Sequence, residues 1–313
     1  MKEAGLIKEN LRIVFMGTPE FAVASLDALV NSGHNIVGVV TAPDKPAGRG
    51  MKVTESAVKK YAVAHDLHIL QPDKLKASAF IEELRSLRAD LQIVVAFRML
   101  PEIVWSMPPL GTINVHGSLL PQYRGAAPIN WAIINGEKQT GITTFKLQHE
   151  IDTGNILLQE ALPIGDDEDA GSLHDRMKDL GANMIVKTID AILRNEVKEI
   201  PQHDVTTGSI RHAPKIFTET CRINFDQPVA TVYNLIRGLS PYPGAFTYFH
   251  DKMLKIFRSR KVIASHENNP GDHETDRKTY LRFYCVDGYI DCLEIQLEGK
   301  KRMPIADLLR GLR

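Results

Sequence analysis

Short β-branched runs alternate with amphipathic stretches through the first half of the chain. Arg12 to Met16 is an apolar run of the kind that forms a buried strand, Glu20 to Asn31 has helical spacing, and Asn35 to Thr41 is β-branched again. Further strands are predicted at 68–70, 91–97 and 111–115, with helices near 78–88 and 126–135. This order predicts a mostly parallel sheet covered by helices on both faces. Two more strands follow at 141–147 and 155–162, then a long helix over 170–195.

The texture changes after that helix. Pro201 to Gly208 is polar and turn-rich, which places a linker at 205–214 between a first domain, 1–204, and a second, 215–313. In the second, runs such as Phe246-Thr247-Tyr248-Phe249 and Leu281 to Val286 are broken by Gly, Pro and Asn. They predict a small, mostly β barrel with a short helix near 229–237.

At 313 residues, 43% hydrophobic and 24% charged, the composition is that of an ordinary globular protein. No uncharged apolar run reaches the ~20 residues that span a bilayer, and Met1 to Asn10 has mixed charge without a signal-type core. A cytoplasmic protein without membrane contact is expected, and as a monomer. Cys221, Cys285 and Cys292 lack metal-type spacing and read as reduced thiols. The net charge is zero, but from residue 211 onward 17 Lys and Arg face 12 Asp and Glu, a net +5. That asymmetry suits either a solvated basic face or a polyanionic partner.

Two places could carry chemistry. Gly17-Thr18-Pro19 follows the first strand where a dinucleotide-binding turn would need a second glycine, so Pro19 argues against a nicotinamide cofactor and for a plain turn into a helix. Asn114 and His116 alternate on one side of a strand at its carboxyl end, where open α/β sheets gather ligands. By pattern alone, a hydrogen-bonded core histidine and a functional site fit equally well. The irregular Gly117 to Pro128 stretch that follows reads as a shaped loop against which an aromatic ring could lie.

The run Asn114-x-His116-x-Ser118-Leu119-Leu120-Pro121, followed by Ile151-Asp152-Thr153-Gly154, resembles the signature of the folate-dependent formyltransferases. The resemblance implies a catalytic trio of Asn114, His116 and Asp152, and a tetrahydrofolate-binding loop at Ser118, Leu119, Leu120 and Pro121. It extends over nearly the whole chain to the branch whose acceptor is initiator methionyl-tRNA. That branch has a Rossmann-like α/β domain followed by a small barrel similar to an oligonucleotide-binding fold. Pro43 to Gly50 corresponds to a loop that the family inserts beside the tRNA acceptor stem, with Lys45 and Arg49 as its cations. Lys300, Lys301 and Arg302 near the end of the barrel are expected on tRNA phosphates. Arg98 stands where the family pattern has a small residue, and His149-Glu150 add charge before Asp152. His149 is read as a loop residue.

The implied reaction moves the formyl group of 10-formyltetrahydrofolate to an amine. Negative charge develops on the formyl oxygen, and Asn114 and a His116 N–H are expected to stabilise it. Asp152 either holds His116 protonated or accepts the amine's proton, directly or through water. No metal is expected, because this trio is a poor ligand set. Two other readings remain: an amino-sugar nucleotide formyltransferase, which shares the trio, and a non-enzymatic RNA-binding protein, which would not need it.

Overall fold

The computed structural model describes residues 10–47, 52–206 and 208–311. Arg49 lies outside the described residues. The chain divides into two compact units, the first made of 1–124, 141–162 and 175–211, the second of 125–140, 163–174 and 212–313.

The first unit is built on a seven-stranded sheet in the order Ile156–Pro163, Gln139–Lys146, Thr112–His116, Leu91–Val95, Arg12–Gly17, Asn35–Val40, Ile69–Leu70. The pairings from Thr112–His116 to Ile69–Leu70 are parallel, whereas Gln139–Lys146 runs antiparallel to Thr112–His116. This is the mostly parallel, Rossmann-like sheet expected. The interior strand Arg12–Gly17 has no exposed face, because Ile13, Val14, Phe15 and Met16 are all fully buried. On one side Val14, Met16, Val40 and Val94 pack with Phe80, Ile81 and Leu84 of the helix Ser78–Ser86.

Two local differences from the sequence pattern have physical reasons. The strand predicted over 91–97 stops at Val95, since Ala96 has a φ of 46° and leaves the extended region. The helix Ala57–Ala64, absent from the prediction, starts where the Ser56 hydroxyl accepts a hydrogen bond from the Lys59 amide at 3.0 Å.

The second unit carries a six-stranded antiparallel half-barrel sheet. Ala245–Phe249, Lys252–Ile263, Gly288–Leu297, Leu281–Tyr284 and His273–Thr275 follow in order, and Met303–Pro304 adds to Gly288–Leu297. The helices Val229–Gly238 and Ile305–Arg310 supply Val232, Ile236 and Leu308 to its core, and Ile134 of Pro128–Ile134 packs against the same core. The strand Lys252–Ile263 is longer than its apolar pattern, because Lys252, Arg258, Arg260 and Lys261 interrupt it on exposed positions. All three cysteines are buried free thiols.

In this unit Arg237, 6% exposed, donates to the carbonyls of Gly165 at 3.2 Å and Glu168 at 3.0 Å and to Asn234 Oδ1 at 2.9 Å. Tyr233 donates to Asp167 at 2.8 Å, and burial first, then that hydrogen bond, pushes its hydroxyl pKa up to about 12. Among the described residues no helix is long and apolar enough to cross a membrane.

Candidate active site

The strand Thr112–His116 lies between a parallel neighbour and an antiparallel one, with Asn114 opposite Val94 and Phe145, and His116 opposite Thr143. Two-residue periodicity puts both polar side chains on one face at the carboxyl end. His116 is 6% exposed and Asp152 8%. Asn114 is half-buried, and among the described residues its amide has no hydrogen-bond partner.

His116 Nε2 sits 2.9 Å from the Tyr123 carbonyl oxygen. A carbonyl oxygen only accepts, so Nε2 carries the proton, and in the neutral ring Nδ1 is left as a lone pair. Nδ1 faces Asp152 Oδ2 at 3.8 Å. A lone pair and a carboxylate pointed at each other repel unless a proton or an N–H lies between them. The arrangement is therefore a place for a proton to arrive, after which burial strengthens the imidazolium–carboxylate attraction. The Nε2–H of His116 is thus held by Tyr123, and the Asn114 side chain lies two residues before it on the same strand. The edge of the Phe145 ring packs on His116 at 6.4 Å between centroids.

Asp152 reaches His116 from a loop with a left-handed backbone, at a φ of 55°, a conformation that costs a residue with a Cβ about 1–2 kcal/mol. Gln202 holds that loop. Its Nε2 donates to the Asp152 and Gly154 carbonyls, both at 2.8 Å, and its Oε1 accepts from Arg124 Nε at 3.0 Å and Nη2 at 2.6 Å. At Gly154 a Cβ would stand 1.7 Å from the Lys146 carbonyl oxygen, so only glycine allows the turn to close. Glu199 closes the base, accepting from Lys146 at 2.9 Å and Asn155 at 3.1 Å, and those two contacts hold its pKa below the usual carboxylate value.

The Ser118 to Pro121 loop is scaffolded as heavily. Ser118 donates to the Gln122 carbonyl at 2.6 Å, and the Thr143 hydroxyl both donates to the Ser118 carbonyl at 2.6 Å and accepts from the Leu120 amide at 3.1 Å. Gln159 donates to the Leu120 carbonyl at 2.8 Å. Ser118, Leu120 and Pro121 are buried in the loop's own framework and Leu119 is partly open. Apolar surface also stands open near the strand ends, at Met99, Ile103 and Ile151, which are 76, 52 and 63% exposed. His149 lies 3.7 Å from Glu102, linking the Ile151 loop to the short helix that carries Ile103. Exposed apolar side chains of this kind suit contact with a flat, partly aromatic ligand such as a folate.

Other residues singled out from sequence are placed as follows. Arg98 turns its guanidinium to the carbonyls of Pro72 and Asp73. Lys45 is exposed on a short antiparallel ribbon, Lys45–Ala47 with Lys52–Thr54. Lys300 and Lys301 are exposed, whereas Arg302 is bound to Glu294 at 2.6 Å and lies over the Phe257 ring at 4.4 Å. Gln202, Tyr123, Thr143 and Arg124 escaped the sequence reading. Gln202 sits in the polar stretch taken as the approach to a linker, and Tyr123 acts through its main chain, which leaves no side-chain signal.

Residues 11–189 match the formyl transferase family and residues 215–313 the formyl transferase C-terminal domain, and the chain belongs to this family. Proteins named methionyl-tRNA formyltransferase resemble it over nearly their full length. The one from Bacteroides fragilis is 56% identical over 310 residues, covering 97% of this chain and 96% of the relative. The one from Phocaeicola vulgatus is 58% identical over 314 residues, covering 98% and 97%. Among solved structures, the fold is similar to an N-formyltransferase from Helicobacter canadensis in complex with folinic acid and dTDP-3-aminofucose. The TM-score is 0.69 at 20% identity, over 95% of this chain and all of that one. It is also similar to HypX from Aquifex aeolicus in complex with tetrahydrofolic acid, with a TM-score of 0.64 at 19% identity over 95% of this chain and 46% of that one.

Proposed function

We propose that the protein transfers the formyl group of 10-formyltetrahydrofolate to the free amino group of initiator methionyl-tRNA. The observation that carries the chemistry is the His116–Asp152 pair, an acceptor for one proton set beside the uncommitted amide of Asn114. Near-full-length identity to relatives named for this acceptor supports its choice over an amino sugar.

The folate supplies an activated formyl carbon. Asn114 donates an N–H to the formyl oxygen as negative charge collects there; removal of one such donor elsewhere costs about 3–4 kcal/mol of barrier. The amine's lone pair forms the new N–C bond, the bond from the formyl carbon to its carrier nitrogen breaks, and the amine's proton passes to the His116–Asp152 pair and on to the departing nitrogen. The wall of residues 118–121, with Met99, Ile103 and Ile151, holds the folate. Lys45, Arg49, Lys300 and Lys301 meet the tRNA, and Arg302 does so only by leaving Glu294.

The test is direct. The protein is incubated with 10-formyltetrahydrofolate and either methionyl-tRNA or an amino-sugar nucleotide, and the formylated product is scored. Formylation of the tRNA alone is expected; formylation of the sugar alone would overturn the acceptor. An Arg49→Ala variant should raise KM for the charged tRNA and leave folate binding as it is.

A further inference from the structure

A second concave surface lies wholly inside the C-terminal unit, apart from the trio. It is a groove of about 530 Å³, within the ~300–1,000 Å³ of small-ligand sites. Its lining includes Phe246, Met253 and Cys221, with Phe217 and Tyr242 beside them. Phe246 and Cys221 are buried core residues, whereas Tyr242 is 82% exposed and Phe217 58%. Two large rings held open to water beside an apolar lining are unusual on a surface with nothing to cover them.

Among the described residues, four cations stand around them against two carboxylates, Glu219 beside Cys221 and Glu298, which accepts from the Met253 amide at 3.2 Å. Lys215 Nζ lies 5.6 Å from the centre of the Phe217 ring, and Lys255, also lining the groove, donates to the Pro243 carbonyl at 2.9 Å. Arg222, whose backbone bridges to Phe246, and Lys252 are exposed. Exposed aromatic faces interleaved with cations are how proteins hold unpaired nucleotides: the rings stack on bases and the cations meet phosphates. A buried-peptide partner would need the rings but not the cations. We infer that this groove takes an unpaired base of the acceptor RNA, stacked on Tyr242 and Phe217, so that the C-terminal unit recognises single-stranded RNA as well as helical phosphates. This inference rests on the proposed tRNA acceptor.

Both rings are exposed, so their substitution leaves the core intact. In a Tyr242→Ala/Phe217→Ala variant, KM for methionyl-tRNA should rise about tenfold or more, the scale of lost base stacking. The maximal rate, KM for 10-formyltetrahydrofolate and the melting temperature should stay at wild-type values. Tyr242→Phe, which keeps the ring, should restore KM. Independently, the emission of a Tyr242→Trp variant, corrected for the wild-type background, should be quenched saturably by initiator tRNA and by a single-stranded trinucleotide, but not by a blunt RNA duplex. An unchanged KM in the double variant, or emission that ignores every RNA, overturns the groove. Normal formylation by the double variant sinks the groove alone. A wild type that formylates no tRNA sinks the acceptor, and the emission titration then still decides the groove.

Discussion

Gln202→Glu replaces one group with another of nearly the same shape and exchanges an NH2 for a carboxylate oxygen. In the native protein that NH2 donates to the carbonyls of Asp152 and Gly154, both at 2.8 Å, while Oε1 accepts from Arg124. The carboxylate keeps the Arg124 contact and loses both donors, leaving an oxygen facing two carbonyl oxygens in a position only 3% exposed. Two neutral hydrogen bonds are worth about 1 kcal/mol each net, and each buried acceptor left without its donor costs about 1–3 kcal/mol. Asp152 needs that support to remain at its φ of 55°. If about 2 kcal/mol of the loss falls on the geometry of Asp152, the turnover number drops about 30-fold, at 1.36 kcal/mol per factor of ten. Steady-state kinetics at saturating folate and methionyl-tRNA, alongside thermal denaturation, measure both consequences. A Gln202→Glu enzyme with wild-type turnover would refute the reasoning. So would a loss of rate that disappears once the folded fraction is corrected for.

Three further outcomes are expected. His116→Ala and Asp152→Asn should each lower turnover by about 10²–10⁴, the range of a positioned acid–base group, while filter binding shows tRNA affinity near wild type; full activity in either variant contradicts the proton route. Gly154→Ala puts a methyl against the Lys146 carbonyl and should destabilise the first unit by about 3 kcal/mol or more, read as an earlier denaturant midpoint; an unchanged midpoint would mean the turn is looser than its geometry. Tyr233 is neutral in both states below pH 10, and with its folded pKa pushed up to about 12 the unfolded chain ionises first. Stability should fall as pH rises from about 10 to 12, and Tyr233→Phe should flatten that limb in urea titrations at graded pH; a wild-type limb of equal slope in the variant would remove Tyr233 as its cause.

Much of this was legible in the residues. The apolar run at Arg12 to Met16 and the β-branched runs that follow, alternating with helical stretches, announce a buried parallel sheet. Asn114 and His116 do sit at the carboxyl end of a strand, as their period of two predicts, though that period by itself left a core histidine equally open. What stayed hidden depends on contacts far apart in sequence. Gln202 reaches 50 residues back to Asp152, and no local pattern marks that. The bond that ties Ser118 to the Gln122 carbonyl, four residues on, leaves no mark in the sequence either. Arg302 looked like a phosphate contact, but Glu294 lies eight residues upstream and is brought beside it by the turn between two paired strands.

The buried Arg237 gives the C-terminal unit a particular relation to its own gene. Two of its acceptors are carbonyls at Gly165 and Glu168, and Ile134 completes the same core, so the unit draws on codons that lie within the catalytic half. It is not a cassette. A fragment starting near residue 212 would carry a guanidinium stripped of those carbonyls and a core without the cover of Ile134. Exchange of this module between relatives by a single crossover would face the same deficit, whereas a graft that carries 125–140 and 163–174 along with it would not.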